Sequence, residues 1–203
     1  MLQRRSFLFL LGAGLMASPV AAHAEAKMLR GKIAQRLKQR VKIAKAKRPI
    51  YKGAEMVAFA SHEKPGTLII RTDEKALYRI LNSDQAMRYL VAVGKEGFAW
   101  SGVAKVGLKR ENPTWTPPAE MIARKPEFAK WAGGMPGGLA INPLGPRAMY
   151  LFTKAGDTGF RIHGTIHPES IGTAASSGCI RMLNREVIDL YAITKLGTKV
   201  IVI

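Results

Sequence analysis

The chain has 203 residues, 47% of them hydrophobic, and its 32 Lys and Arg against 14 Asp and Glu give a formal net charge of +18. Its one cysteine excludes an intramolecular disulfide, and no apolar run is long enough to cross a bilayer as a helix. So large a positive excess points to an anionic partner, either nucleic acid or a charged envelope surface.

Taken in order, residues 1–24 read as an export signal. Arg4-Arg5 is followed by a short apolar run from Phe7 to Met16 and then by small residues; Ala22-His23-Ala24 has the small-x-small form that signal peptidase cleaves. Cleavage is expected after Ala24, with Ala26 as the next choice. The paired arginines resemble a twin-arginine signal; an ordinary secretory signal also begins with positive charge, and both routes stay open. Losing Arg4 and Arg5 takes the net charge from +18 to +16. The mature protein is expected in the periplasm.

Residues 25–55 form a basic segment. Glu25 to Arg48 holds ten Lys or Arg and one acid, and Leu29, Ile33, Leu37 and Val41 recur every four residues. That pattern gives a helix with a narrow apolar stripe, ended by Pro49. Repulsion between like charges favours a solvated linker. The stripe favours a helix lying on an anionic envelope surface through residues 27–48. Export argues against nucleic acid as the partner.

Residues 56–203 carry the folded domain, about 140 residues and enough for one core. Short apolar runs between turn signals predict strands at Gly66 to Thr72, Ala76 to Leu81, Met87 to Val93, Val103 to Leu108 (Val106 and Leu108 facing inward), Ala148 to Phe152 and Gly159 to His163. Lys199 to Ile203 is expected to close the sheet. Two helices are expected. Pro118 to Arg124 is short. Asn184 to Lys195 has Asn184 as N-cap and an apolar face of Val187, Ile188, Tyr191 and Ala192, placed to support the cysteine from behind. The fold class is mainly β, a sandwich or barrel with one or two short helices. Between the strands runs a Pro- and Gly-rich excursion, Asn112 to Pro146. Its Trp115 and Trp131 either cover a cleft or plug the sheet edge. Its Gly133 to Gly138 run lacks the Gly-Lys-Ser/Thr ending of a phosphate loop and reads as a flexible or tightly turned loop.

The chemistry gathers in His163 to Leu183, HGTIHPESIGTAASSGCIRML. Cys179 is the lone thiol of an exported chain, and His163 lies sixteen residues upstream. A thiolate attacks acyl carbons, and an imidazole that takes the thiol proton is expected to lower the thiol pKa as an ion-pair partner. Ser176-Ser177-Gly178-Cys179 suits a tight turn whose Gly178 and Cys179 N–H groups can hold an oxyanion. Arg181 alternates with Cys179 and can bind a carboxylate in forked geometry, or pair with an internal acid such as Asp189. Ser176, Ser177 and Tyr150 are placed to line the same cleft, and His167 is expected to be solvated. A zinc site built on His163, His167 and Cys179 would need a fourth ligand from His23 or His62.

These motifs also carry a family resemblance. His163-Gly164-Thr165, Ser170-Ile171-Gly172 and Ser176 to Met182 resemble the signature of the L,D-transpeptidases, the YkuD-domain enzymes of bacterial cell walls. Asn142 to Arg147 and Asn112 to Pro118 resemble two further blocks, so the likeness runs over about residues 65–203. Ser177 departs from it, standing where many members have His or Thr. The resemblance implies a YkuD β-sandwich and a peptidoglycan tetrapeptide donor. Cys179 would be the nucleophile, His163 the proton carrier, and the Gly164 carbonyl the group orienting the imidazole. It implies no metal or organic cofactor. The acceptor stays open: a neighbouring stem peptide, giving a 3→3 cross-link; an outer-membrane protein, giving an anchor; or water, giving an L,D-carboxypeptidase. A thiol peptidase and a non-catalytic envelope-binding protein are the rival readings.

Overall fold

A computed structural model describes residues 27–36, 51–95 and 100–203. The export signal, its cleavage site and most of the basic segment lie outside the described residues. By internal contacts the chain divides into two units, Met1–Ile50 and Tyr51–Ile203. In the first, residues 27–36 are helical (α1), with Met28, Leu29 and Ile33 exposed. Among the described residues no helix is long and apolar enough to cross a membrane.

The second unit is mainly β. Among the described residues nine strands hydrogen-bond in one run, in the order β1 (Glu55–Ala58), β4 (Gln85–Leu90), β3 (Ala76–Ile80), β2 (Leu68–Arg71), β11 (Lys199–Val202), β6 (Gly102–Glu111), β7 (Arg147–Thr153), β8 (Gly156–His163) and β10 (Ile180–Arg181). A second, two-stranded sheet pairs β5 (Val93–Gly94) with β9 (Ala174–Ser176). Strand alternation sorts the apolar residues between two clusters. Leu68 and Ile70 of β2 and Leu77 of β3 join the main core, while Ile69, Ala76, Tyr78 and Ile80 point to a smaller one on the opposite face. The main core also contains Met149 and Leu151 of β7, Ile162 of β8 and Ile180 of β10. Strands from both halves of the run therefore share one interior: the long sheet folds over to make the expected sandwich.

Several boundaries differ from the sequence reading. The β11 strand does not close an edge; it sits centrally, parallel to β2 and antiparallel to β6, and so joins the two halves. Val106 and Leu108 do not both face inward, because the β6–β7 register shifts between them. At Gly107 an added Cβ would lie 2.5 Å from the Phe152 ring, so the bulge brings backbone against that ring. The run from Met87 to Val93 splits into β4 and β5, the latter leaving for β9. Strands β1, β9 and β10 are short and owe their existence to neighbours distant in sequence.

The helix α3 (Asn184–Ile193) packs on β7 and β8, and its Val187 and Leu190 are both fully buried. Ile188 is exposed, so the buried face is narrower than the expected one and is rotated from it. Asn184 does not cap the helix. Leu183 holds the N-cap position without a side-chain bond, and the Asn184 Oδ1 instead accepts from the Thr165 N–H at 2.8 Å. The excursion 112–146 is ordered around Asn142, which is 1% exposed. Its Nδ2 donates to the carbonyls of Pro113 (2.9 Å) and Pro136 (3.1 Å), and its Oδ1 accepts from Leu144 N–H (2.9 Å). The glycine run there is tightly turned: a Cβ on Gly137 would lie 1.7 Å from the Asn112 carbonyl oxygen. The other short helix, α2 (Ala119–Arg124), also belongs to this excursion.

Candidate active site

Two parallel strands build the site. In the β8–β10 register Ile162 faces Ile180 and His163 faces Arg181. Ile162 and Ile180 are both buried in the core. Alternation therefore turns Arg161 and His163 of β8, and Cys179 and Arg181 beside β10, to the other face. His163, Cys179 and Arg181 line one cleft of about 500 Å³, closed on its far side by Trp115, Met121 and Phe128 of the excursion. Trp115 meets Phe128 edge-on, with ring centroids 5.4 Å apart. Trp131 is not part of this wall; the Lys130 ammonium lies over its ring. Tyr150 is not part of it either, since its ring supports the Arg161 guanidinium at 4.2 Å.

His163 is 4% exposed, and its Nδ1 lies 2.6 Å from the Gly164 carbonyl oxygen. A carbonyl only accepts, so Nδ1 carries the proton and Nε2 keeps its lone pair. This is the orientation expected of Gly164. Glycine is required there by packing, because a Cβ would lie 2.3 Å from Asn184 Oδ1. Burial pulls the imidazole pKa down to about 4, and Arg181 and Arg161 add to this against the carbonyls of Gly164 and Leu144.

The Cys179 side chain is partly exposed, with Sγ 3.9 Å from the Gly159 carbonyl. Burial pushes the thiol pKa up; the Arg161 backbone N–H and the charges of Arg161 and Arg181 oppose it, and Asp157 adds to it. Both shifts run against the expected resting ion pair. Desolvation penalises both charged partners and favours the neutral thiol and the neutral imidazole.

The turn before the cysteine is held by Ser176, which is buried. Its hydroxyl accepts from Gly178 N–H at 3.0 Å and donates to the Cys179 carbonyl at 2.6 Å. Gly178 adopts φ +118, open to glycine and strained for other residues. Two expectations change. Gly178 N–H is engaged by Ser176 rather than presented to the cleft. Ser176 borders the cleft but works on the turn. Ser177 is exposed at the rim.

Arg181 is half-buried, and neither Asp189 nor any other acid forms an ion pair with it among the described residues. Arg161 is the residue the sequence reading missed. Asp157 holds its guanidinium at 2.7 and 2.8 Å, and it bears on both Cys179 and His163. Its place two residues before His163 on one strand was the available signal. His167 is exposed and pairs with Glu169 at 3.1 Å. Among the described residues no three His, Cys, Asp or Glu side chains gather as metal ligands would.

The comparisons with known proteins converge on this region. The family model described as the L,D-transpeptidase catalytic domain, YkuD, matches residues 65–202. The putative L,D-transpeptidase YqjB of Bacillus subtilis is 36% identical over 134 residues, covering 65% of this chain and 66% of that protein. A putative L,D-transpeptidase of Fuscovulum blasticum is 38% identical over 102 residues, 50% of this chain and 49% of that protein. The chain thus spans about half to two-thirds of the length of these relatives. Among solved structures, a probable carnitine operon oxidoreductase of Brucella melitensis is 45% identical, covers 78% of this chain and 97% of its own, and superposes with a TM-score of 0.53. The Enterococcus faecium L,D-transpeptidase C442S mutant superposes with a TM-score of 0.52 at 16% identity, over 69% of this chain and 50% of its own, a likeness of fold. The matched segment contains the strands, the turn, and the thiol and imidazole that share the cleft, and the chain belongs to the family of L,D-transpeptidase (YkuD) catalytic domains.

Proposed function

We propose that this chain is a peptidoglycan L,D-transpeptidase in which Cys179 is the nucleophile and His163 the proton carrier. The observation that supports this most directly is their presence in one cleft, with Nδ1 of His163 tied to Gly164 so that Nε2 is left as a base. The donor is a tetrapeptide stem. Sulfur bonds to the carbonyl carbon at the L-centre of its third residue, meso-diaminopimelate, as the thiol proton passes to His163. The carbon–nitrogen bond to the terminal D-Ala then breaks, and His163 returns the proton to the leaving amine. An acceptor amine attacks the thioester, forms the new amide and restores the thiol. Since both partners rest neutral, the proton moves when the donor binds, and no thiolate is stored beforehand. The Cys179 N–H serves the oxyanion, and Gly178 N–H joins only by giving up the Ser176 hydroxyl. Arg181 pairs with a stem carboxylate. The chemistry calls for no cofactor.

Acceptor amines on a neighbouring stem or on an outer-membrane protein fit this scheme equally, and water makes the enzyme an L,D-carboxypeptidase. Export by residues 1–24 would bring the enzyme to the periplasm, and the basic stretch 27–48 would hold it near an anionic surface. The exposed apolar residues of α1 favour that second role. Intact mass spectrometry after mixing the protein with a disaccharide-tetrapeptide tests the reading. A thioester adduct on Cys179 with loss of D-Ala is expected, and Cys179→Ser should abolish the thioester. Absence of both adduct and product with wild-type protein would refute acyl transfer and leave the non-catalytic binding role.

A further inference from the structure

Among the described residues, the full charges that line the cleft holding Cys179 are of one sign. Lys95 follows β5, Arg124 and Lys125 end α2, and Arg181 belongs to β10; all four border the cleft, and among the described residues no Asp or Glu does. Arg71, Arg88, Arg147, Arg161 and Lys199 each pair with a carboxylate. The four cleft cations form no ion pair among the described residues, and Lys125 has only the Phe128 ring near its ammonium, 5.7 Å from the centroid. Burial weighs against the charge on Arg181, so a counter-ion there is worth more than at an open surface. The apolar wall of Trp115, Met121 and Phe128 gives the cleft a low-dielectric side, which focuses the field of its cations.

A cleft with this charge discriminates by the charge of its occupant. Converting a carboxylate to a carboxamide keeps the planar shape and removes the charge. We propose that the cleft selects peptide donors whose carboxyl groups are free acids over the same donors carrying them as carboxamides, with Lys95, Arg124 and Lys125 as the residues that set the preference. This rests on the acyl-transfer reading for the kind of molecule that enters the cleft, but it concerns binding and can be tested apart from turnover. Arg181 lines the cleft with Cys179 and, pairing with one stem carboxylate, keeps its own share of the preference in every variant. The other three sit at the rim, are exposed, and can be changed without disturbing the core.

The experiment is calorimetric titration of the full-length Cys179→Ala protein with two disaccharide-tetrapeptides, one with free carboxylates and one fully amidated. Exposed ion pairs contribute modestly, so each cation should give roughly two- to five-fold and the three together roughly ten-fold or more in favour of the free acid. The ratio should shrink as salt rises from about 0.05 to about 0.5 M, because these contacts are screened. It should fall roughly ten-fold in the triple variant Lys95→Gln, Arg124→Gln, Lys125→Gln, to the share that Arg181 keeps. Lys154→Gln, an exposed cation away from the cleft, should leave the ratio as it is. Equal or unmeasurable affinities for both peptides overturn the proposal, as does a preference that is undiminished in the triple variant or falls equally with Lys154→Gln. Turnover by the wild-type protein is read separately: selective binding without thioester formation refutes acyl transfer alone, while turnover with equal affinities refutes the selectivity alone.

Discussion

Burial of His163 makes the stability of the domain depend on pH in a stated direction. The imidazole falls from 6.5 to about 4 on folding. At about 1.4 kcal/mol per tenfold change this is worth about 3 kcal/mol, and the group is buried enough for the conversion to hold. Between these values the unfolded chain binds a proton that the folded one does not. Stability from this group is therefore complete above about pH 6.5 and is lost as pH falls toward 4. Other groups titrate nearby with different signs. The lowered pKa of Asp157, set by Arg161 and the Gly159 N–H against its own burial, adds acid sensitivity, while Glu186, raised by burial, opposes it. Comparison with His163→Gln isolates the histidine, because glutamine can still donate to the Gly164 carbonyl but does not titrate. Urea unfolding of both proteins at pH 7.5 and pH 4 is the assay. Wild type should lose about 3 kcal/mol more than His163→Gln across that interval. Equal losses would refute the claim that the imidazole is held neutral by desolvation.

Three further outcomes are expected. Alkylation of Cys179 in the free protein should follow an apparent pKa at or above the ordinary thiol value of about 8.5, because burial outweighs the two arginines; a value near 6 would restore the resting ion pair. Ser176→Ala leaves Gly178 N–H and the Cys179 carbonyl without their shared partner. It should cost about 1–3 kcal/mol in thermal unfolding and slow thioester formation, and unchanged values for both would remove Ser176 as the support of the turn. On α3, Leu190→Ala should cost about 2–5 kcal/mol. Ile188→Ala should cost less than about 0.5 kcal/mol on the same unfolding curve, and the reverse order would mean the buried face is the one read from sequence.

The sequence by itself determined which residues could do chemistry. A lone thiol, a histidine opening a His-Gly turn, and an arginine two residues past the cysteine are statements about residue type and spacing. Alternation along a strand is a local property, and so the cleft face of Cys179 and Arg181 was legible. The strands at 68–71, 76–80 and 147–153 were legible for the same reason: their apolar residues carry the period. Asn184 was misread because capping is only the nearest of its options; folding places its Oδ1 against Thr165, between Gly145 and Gly164. The place of β11 in the middle of the sheet, and the parallel seating of β10 on β8, are pairings between segments distant in the chain, and no local pattern encodes them. The pKa directions belong to the same class. An imidazole beside a cysteine reads as an ion pair on paper, but its charge state is decided by how much water the surrounding side chains remove, and that is known only once the cleft is closed around it.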